Sequence, residues 1–427
     1  MFIYMLTSDH KKNTNNKFFY GWYIVSAGFS IQLLIGSLMI HSFTAYFPLL
    51  EAQFGWSRAT LSGAFALSRA ESGLLGPLQG WLIEKYGPRM MAVFGMCLFG
   101  IGFILFSQID SILGYYVTFF LMAAGSSIAG HLTVATAIIN WFNRKRGIAV
   151  GLSSTGFGLA GILVPLIAWS LTTQGWRDTA FYSGIGIIIV GIPVSLILRR
   201  DPEPYGYLPD GDNRSEVGTI DNQDQDLTGF TVREAIKTSS FWYLGIGHAL
   251  SLLTVGAVSF HLVPHVVDSV GLSVTIASTA VAVMTVFFVT GQVVGGFLGD
   301  KYSKRWLAAI GTLMHAVALL ILAYSTNIIM VYIFSILHGS AWGLRGPIMA
   351  TIRADYFGRA YFPSIMGFSS LIIMLGMTVG PLFAGYMADV FGDYKLGFII
   401  ISALAALGSI FFVLAKPPIM TERQLQS

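Results

Sequence analysis

Three ionisable side chains fall deep within long apolar stretches of this chain: Arg69, Glu71 and Arg345. A charge at the centre of a bilayer costs at least ~2.5–3.5 kcal/mol on insertion scales, so each must face protein or water. Arg345 sits in Gly343-Leu344-Arg345-Gly346-Pro347. The glycines clear space round the guanidinium, and Pro347 disturbs the helix beside it. A guanidinium so placed can grip a carboxylate through two parallel hydrogen bonds. The competing reading is a structural arginine held by carbonyls or by a carboxylate between helices. Trp342 lies three residues earlier, which predicts that both residues sit near one helix face. An aromatic wall beside an arginine suits an organic anion with an apolar end; a lipid-facing indole is the alternative. Arg69 and Glu71 are two apart, so they point to different faces and need partners on other helices. Desolvation favours the protonated form of Glu71, which is the chemistry of a proton carrier. A structural or gating couple is the plainer reading of the two residues.

Histidines recur inside the apolar stretches at His41, His131, His248, His261, His315 and His338. None has the spacing of a metal motif, and His261 with His265 lacks a third ligand. His131 and His248 lie nearest mid-depth, as candidate proton sites or neutral hydrogen-bond donors. A packed, satisfied histidine is the default. One cysteine, Cys97, excludes an intrachain disulfide and a cysteine metal cluster. No G-x-x-x-x-G-K-[ST] loop and no nucleophile–base set occurs, so neither an ATP motor nor an enzyme is expected, and no cofactor. Gly156-Phe157-Gly158-Leu159-Ala160-Gly161 has the form GxGxxG, but no strand precedes it and helix packing explains it.

The elements that position these residues are apolar helices. The 427 residues are 54% hydrophobic and 11% charged, with mean hydropathy +0.68. A soluble surface carries about 25% charged residues, so lipid must be the main solvent. Twelve stretches reach the roughly 20 residues a bilayer requires. They fall at 19–48, 57–84, 89–109, 111–141, 146–174, 177–198, 239–269, 275–300, 304–325, 327–356, 361–389 and 393–415. All must be helical, because a lipid-facing backbone has to satisfy itself. The expectation is an all-α membrane protein with a tail at 1–18, six helices over 19–198, a linker at 199–238, six helices over 239–415 and a tail at 416–427. The linker is polar, acidic and rich in Pro and Gly. Its Asn213-Arg214-Ser215 has the form of a glycosylation sequon, in a loop expected to be cytoplasmic and never glycosylated. Arg58, Arg177 and Lys395 fall on one side, Arg69 and Arg345 lie within spans, and the other 20 of the 25 Lys and Arg lie on the opposite side. That asymmetry predicts both termini and the linker in the cytoplasm. The +4 net charge sits at helix ends and not on one face, so it is no nucleic-acid signal. No signal peptide is expected, because Phe2 to Leu6 is too short an apolar run.

The chain also repeats itself. Gly80-Trp81-Leu82-Ile83-Glu84-Lys85-Tyr86-Gly87-Pro88-Arg89 returns 216 residues later as Gly296-Phe297-Leu298-Gly299-Asp300-Lys301-Tyr302-Ser303-Lys304-Arg305. Gly151 and Gly367, and Pro165 and Pro381, keep the same offset. Paired glycines four apart, at 76/80, 147/151, 295/299 and 376/380, predict close helix contacts. Pro165 and Pro381 predict matched bends. The repeated link resembles the G-x-L-x-D-x-x-G-x-R signature of the major facilitator superfamily, with Glu84 in place of Asp and Ser303 in place of Gly. Within that superfamily the chain looks most like the monocarboxylate transporter and oxalate/formate antiporter group. That likeness rests on Tyr20-Gly21-Trp22, Trp141-Phe142-Asn143-Arg144-Lys145-Arg146-Gly147, Tyr356-Phe357-Gly358-Arg359, Gly380-Pro381 and Asp389-Val390-Phe391-Gly392-Asp393-Tyr394.

The resemblance implies the major facilitator fold: twelve transmembrane helices in two pseudo-symmetric six-helix bundles, moving cargo by alternating access. It implies that the first, fourth, seventh and tenth spans line a central cavity. Arg345 then becomes the first candidate for an anion anchor, with Trp342, Gln32, Ser37, His131, His248 and Ser251 as further substrate contacts. It implies a part in holding one conformational state for Gly80, Glu84, Arg89 and Asp300, while Arg69 and Glu71 serve gating or proton coupling. The family's own carboxylate-binding residues are missing: residues 277–299 hold no Asp or Arg, and 366–388 no Lys. The expected cargo is a small organic anion, a monocarboxylate, carried with a proton or exchanged for another anion. The expected setting is a bacterial inner membrane, with lipids round a monomer. The rivals are export of a neutral or cationic amphipathic compound, and a ligand sensor that transports nothing.

Overall fold

The computed structural model describes residues 18–212 and 229–419. The sequon at 213–215 lies outside the described residues, as do several side chains between 58 and 72, Arg69 among them. Among the described residues there is no strand. Eleven helical segments are long and apolar enough to cross a membrane. They amount to twelve crossings, because Gly76–Phe106 contains a break at Gly87 (φ 79°, ψ 159°). Its first part continues Arg58–Leu74 as the second span, and its remainder is the third. Gly87 supplies a left-handed backbone that other residues rarely adopt.

The first span runs Gly21–Ile35, then a π turn at Gly36–His41, a 3-10 turn and Phe47–Phe54. The fourth is Ile112–Ala129 and His131–Trp141. The fifth is Arg146–Leu159, a 3-10 turn at Ala160–Leu163 and Val164–Thr173, so the irregularity expected at Pro165 lies just before it. The sixth is Trp176–Gly186, a π turn and Ile192–Leu196. The second half is more regular: Ser239–Pro264 with a π turn to Ser269, Val274–Lys301, Lys304–Ala323, Ile328–Phe357, Phe362–Phe391 and Lys395–Leu414. The eleventh helix runs through Pro381 unbroken. Capping side chains fix several starts: Ser57, Ser111 and Asn327 accept from Thr60, Gly114 and Met330 N–H.

Glycines set how closely the helices approach. Gly343 of the tenth span packs on the Phe288 carbonyl, and Gly376 and Gly380 of the eleventh pack on Ala249 and Leu253 of the seventh. Contacts between the halves obey the 216-residue offset. Gly76 and Gly80 pack on Gly367 and Pro363; Gln292 and Gly296 pack on Gly151 and Gly147. The first-half core is an aromatic cluster in which Phe43 touches Phe106 and Phe119 at 5.2 and 4.9 Å between centroids. Large apolar side chains such as Leu113, Ile162, Val286 and Leu382 are exposed, as a lipid-facing belt requires.

The Phe288 contact fixes one expected outcome. Gly343→Val forces the eighth and tenth helices apart and lowers stability by about 1–3 kcal/mol, the usual cost of overpacking. Gly186→Ala, where a Cβ meets nothing within 4 Å, changes it by less than about 0.5 kcal/mol. Thermal melting in detergent compares the two.

Candidate functional site

A cavity of about 500 Å³ opens between the halves, walled by the first, second, fourth, fifth, seventh, eighth, tenth and eleventh spans. Its polar wall includes Gln32, Gln79, Ser127, His131, Ser154, His248 and Gln292. Its apolar wall includes Ile35, Phe157, Phe288, Trp342 and Met366. No Asp, Glu, Lys or Arg is among its described lining residues.

The backbone at the wall is irregular. The fourth span breaks at Gly130 (φ −76°, ψ −144°), and a new helix starts at His131. A Cβ on Gly130 would lie 2.6 Å from the Ser126 carbonyl, so glycine is required there. The residue 216 places on is Gly346, also on the wall, followed by Pro347. The tenth helix runs unbroken through both, so the discontinuity that leaves backbone groups available to cargo is the one at Gly130. Gln79 Nε2 donates to Ser127 Oγ at 2.6 Å and Gln32 Nε2 to Ser153 Oγ at 3.1 Å, which orients both amides. Trp342 packs on Phe288 with centroids 4.5 Å apart, an aromatic corner of the wall.

Gln32, His131, His248 and Trp342 line this cavity. Ser37 does not: its hydroxyl donates to the Leu33 and Ala160 carbonyls and braces the π turn. Ser251 is fully buried and off the wall. Arg345 requires the main correction. It is 2% exposed and lies behind the wall, its Cβ 3.9 Å from a Cβ built on Gly311 of the ninth span. Three helical residues leave about 60° between side chains. That angle is enough to put Trp342 on the cavity and turn Arg345 inward. Its Nε and Nη1 find no hydrogen-bond partner among the described residues. His248, His315 and His338 lie within reach of its charge, and Arg353 is the cation nearest to it in effect. Arg353, two turns further on, shows the contrast. It donates to the Met349 carbonyl at 2.7 Å, and also to the Leu244 carbonyl and Ser369 Oγ, as a satisfied structural arginine. Glu71 is buried in the second span and is not among the lining residues.

The link residues form a separate layer that ties the halves together. Glu84 accepts from Ser364 N–H at 3.1 Å, at the start of the eleventh helix in the other half. Asp300 accepts from Gly147 and Ile148 N–H at 2.5 and 2.9 Å, at the start of the fifth. Ile148 and Ser364 are again 216 apart, so each half caps a helix of its partner. A carboxylate at a helix N-terminus meets free N–H groups and the positive end of the dipole. Arg89 Nε donates to the Leu198 carbonyl within its own half. Asp355 joins Arg146 at 2.9 Å to Lys304 at 2.5 Å, and Arg359 reaches the Asn140 carbonyl and Glu203. The linker adds Asp210, which accepts from Asn143, Arg144 and Lys145 N–H.

Sequence reasoning missed Gln79, Ser154 and Gln292 on the wall. Glutamine inside an apolar span was the available signal, weaker than a charge but of the same kind. It also missed Asp355 as the bridge between Arg146 and Lys304.

The profile of the Major Facilitator Superfamily matches residues 25–260 and 244–426. The chain belongs to that superfamily and is a multi-pass membrane transporter. It is 24% identical over 81% of its length to the oxalate:formate antiporter of Oxalobacter formigenes, covering 80% of that protein. It is 25% identical to monocarboxylate transporter 13 of Bos taurus, over 91% of this chain and 88% of that one. Among solved structures it resembles a major facilitator transporter, FucP, in the outward conformation (TM-score 0.68, 14% identity, 93% and 99% of the two chains). It also resembles the human organic anion transporter MFSD10 (TM-score 0.65, 15% identity, 92% and 97%). The last two likenesses concern the fold.

Asp300→Asn weakens one of the reciprocal caps. A charge-assisted bond contributes about 1.5–3 kcal/mol, so opening of the link side rises about tenfold or more. In a Cys97→Ser background carrying Ser154→Cys, a membrane-impermeant maleimide added from the link side labels the cavity faster by that factor.

Proposed function

We propose that this protein is a secondary carrier of a small monocarboxylate with an apolar end, working by alternating access between its two halves. One observation carries the reading: the cavity wall holds no described carboxylate, while the Arg345 guanidinium behind it has no carboxylate partner among the described residues. Such a site has a positive field and nothing fixed to cancel it, so it favours an anion and disfavours a cation. His131, His248 and the three glutamines offer hydrogen bonds, and the start of helix His131–Trp141 adds the positive end of a dipole. Phe157, Phe288 and Trp342 suit the apolar end of the cargo. The names of the sequence relatives, which speak of oxalate, formate and monocarboxylates, support the same class.

On this reading the Lys and Arg asymmetry favours both termini and the link side in the cytoplasm, and the setting is a bacterial inner membrane. Glu84 and Asp300 bond across the link side, so with that side in the cytoplasm the reading takes this conformation as outward-facing. Cargo binding then offsets the loss of the caps, and the Gly76/Gly80 and Gly147/Gly151 seams separate as the halves rock. The cargo crosses with a proton or in exchange for another anion.

Proteoliposomes with an imposed inside-alkaline pH gradient test the reading with labelled formate, oxalate, lactate and phenylacetate. Uptake of phenylacetate above the smaller acids is expected, and Arg345→Met lowers it at least tenfold because the variant removes the charge that sets the field of the site. Unchanged uptake in Arg345→Met, or transport of a cationic amphiphile and of no acid, contradicts it.

A further inference from the structure

Behind the cavity wall, two histidines from neighbouring antiparallel helices face each other. His315 of the ninth span and His338 of the tenth are both fully buried, with Nδ1 atoms 3.1 Å apart and ring centroids 4.6 Å apart. Neither Nε2 has a hydrogen-bond partner among the described residues. A neutral pair can make an N–H···N bond in one way only. One ring carries its proton on Nδ1 and leaves its Nε2 bare; the other accepts at Nδ1 and carries its proton on Nε2. The pair therefore keeps one basic nitrogen outside the shared bond. Ser335, one turn from His338, has a buried hydroxyl oxygen without a partner among the described residues.

Among the described residues the surroundings hold positive charge and no paired carboxylate. Arg345 acts on both rings, and Arg353 stands beyond it on the same helix. The seventh span contributes His248, which also feels Arg345. Apart from Asp300, Lys301, Asp389 and Lys395 at their ends, the eighth, eleventh and twelfth spans contain no Asp, Glu, Lys, Arg or His. The ninth span's other charged residues, Lys304 and Arg305, lie at its link-side end, as does Asp355 of the tenth.

We propose that the His315–His338 pair is the proton site of this carrier, and that it fills only when an anion in the cavity offsets the charge of Arg345. The proposal rests on the anion-carrier reading and deepens it by naming the coupling. An imidazolium beside an uncompensated guanidinium in a low-dielectric interior is unfavourable. An anion at the wall removes that penalty. His248 and Trp342 line the cavity, and the Trp342 ring lies 6.4 Å from the His338 ring, so only one layer of side chains separates anion and pair. The proton comes from cavity water and goes to the bare Nε2. The ring that receives it becomes an imidazolium that donates its Nδ1–H to the other Nδ1, a charge-assisted bond stronger than the neutral one. One anion and one proton then cross together with no net charge. By linkage, each tightens the binding of the other.

The test counts protons. Purified protein in weakly buffered detergent solution at pH 7 is mixed with saturating phenylacetate, and a pH indicator reports uptake. Wild type takes up about one proton per anion bound, and its Kd falls by up to about tenfold per pH unit lowered where the pair titrates. His315→Gln and His338→Gln keep a polar side chain but cannot take the proton; each binds phenylacetate with a Kd independent of pH and no uptake. Melting curves identify a variant that fails to fold, and the wild-type count keeps the test decisive in that event. Binding by wild type without proton uptake, or uptake that persists in a folded variant, overturns the proposal. Failure of formate, oxalate, lactate and phenylacetate all to bind overturns the carrier reading beneath it instead.

Discussion

A guanidinium withheld from both bulk water and carboxylate is the constraint on which the rest depends. Removing a charge from water costs several kcal/mol even after the protein relaxes, and an uncompensated buried charge is among the most destabilising features a fold can hold. Arg353 avoids that penalty with carbonyl and hydroxyl acceptors. Arg345, two turns away on the same helix, does not, and its neighbours are imidazoles that can stay neutral. On the proposed reading, an unbalanced charge next to the cavity is a source of binding energy. Whatever enters the cavity with the opposite sign gains the interaction that the protein itself leaves unmade.

The second layer of the account is symmetry. The same 216-residue offset that relates the links relates their contacts, Glu84 to Ser364 and Asp300 to Gly147 and Ile148. These caps are N–H to carboxylate bonds at helix ends, and glycine seams run beside them. Both interactions can separate without leaving a side chain wedged, since a glycine seam presents backbone alone. The layer thus suits a joint that closes tightly and opens again. On the proposed reading binding and closure fall to different residues, which allows cargo at one end to act on a latch at the other.

Much of this was legible in the sequence, for identifiable reasons. A lipid-embedded backbone has few options, so apolar run lengths gave the twelve crossings. The repeated link gave the duplication and the correspondence of Glu84 with Asp300, but not that each caps a helix of the other half. Side-chain direction was less legible. Trp342 and Arg345 were expected on one face, yet 60° of helical rotation separates cavity from core, and the space beside Gly311 draws the guanidinium inward. Ser37 looked like a cavity hydroxyl because the span was read as a regular helix; the π turn at Gly36–His41 uses that hydroxyl locally. His315 and His338 are 23 residues apart on neighbouring helices, a distance at which no spacing rule pairs them. The break at Gly130 carried no proline to announce it.

The claim that an unbalanced Arg345 selects the cargo is tested most directly by equilibrium binding of three near-isosteres, phenylacetate, phenylacetamide and phenethylamine, to wild type and to Arg345→Met. The account predicts that wild type binds the acid at least about tenfold tighter than the amide and binds the amine weakest, about 1.4 kcal/mol of discrimination per tenfold, and that the variant loses the preference. Equal affinity for acid and amide in wild type, or tighter binding of the amine, would contradict it.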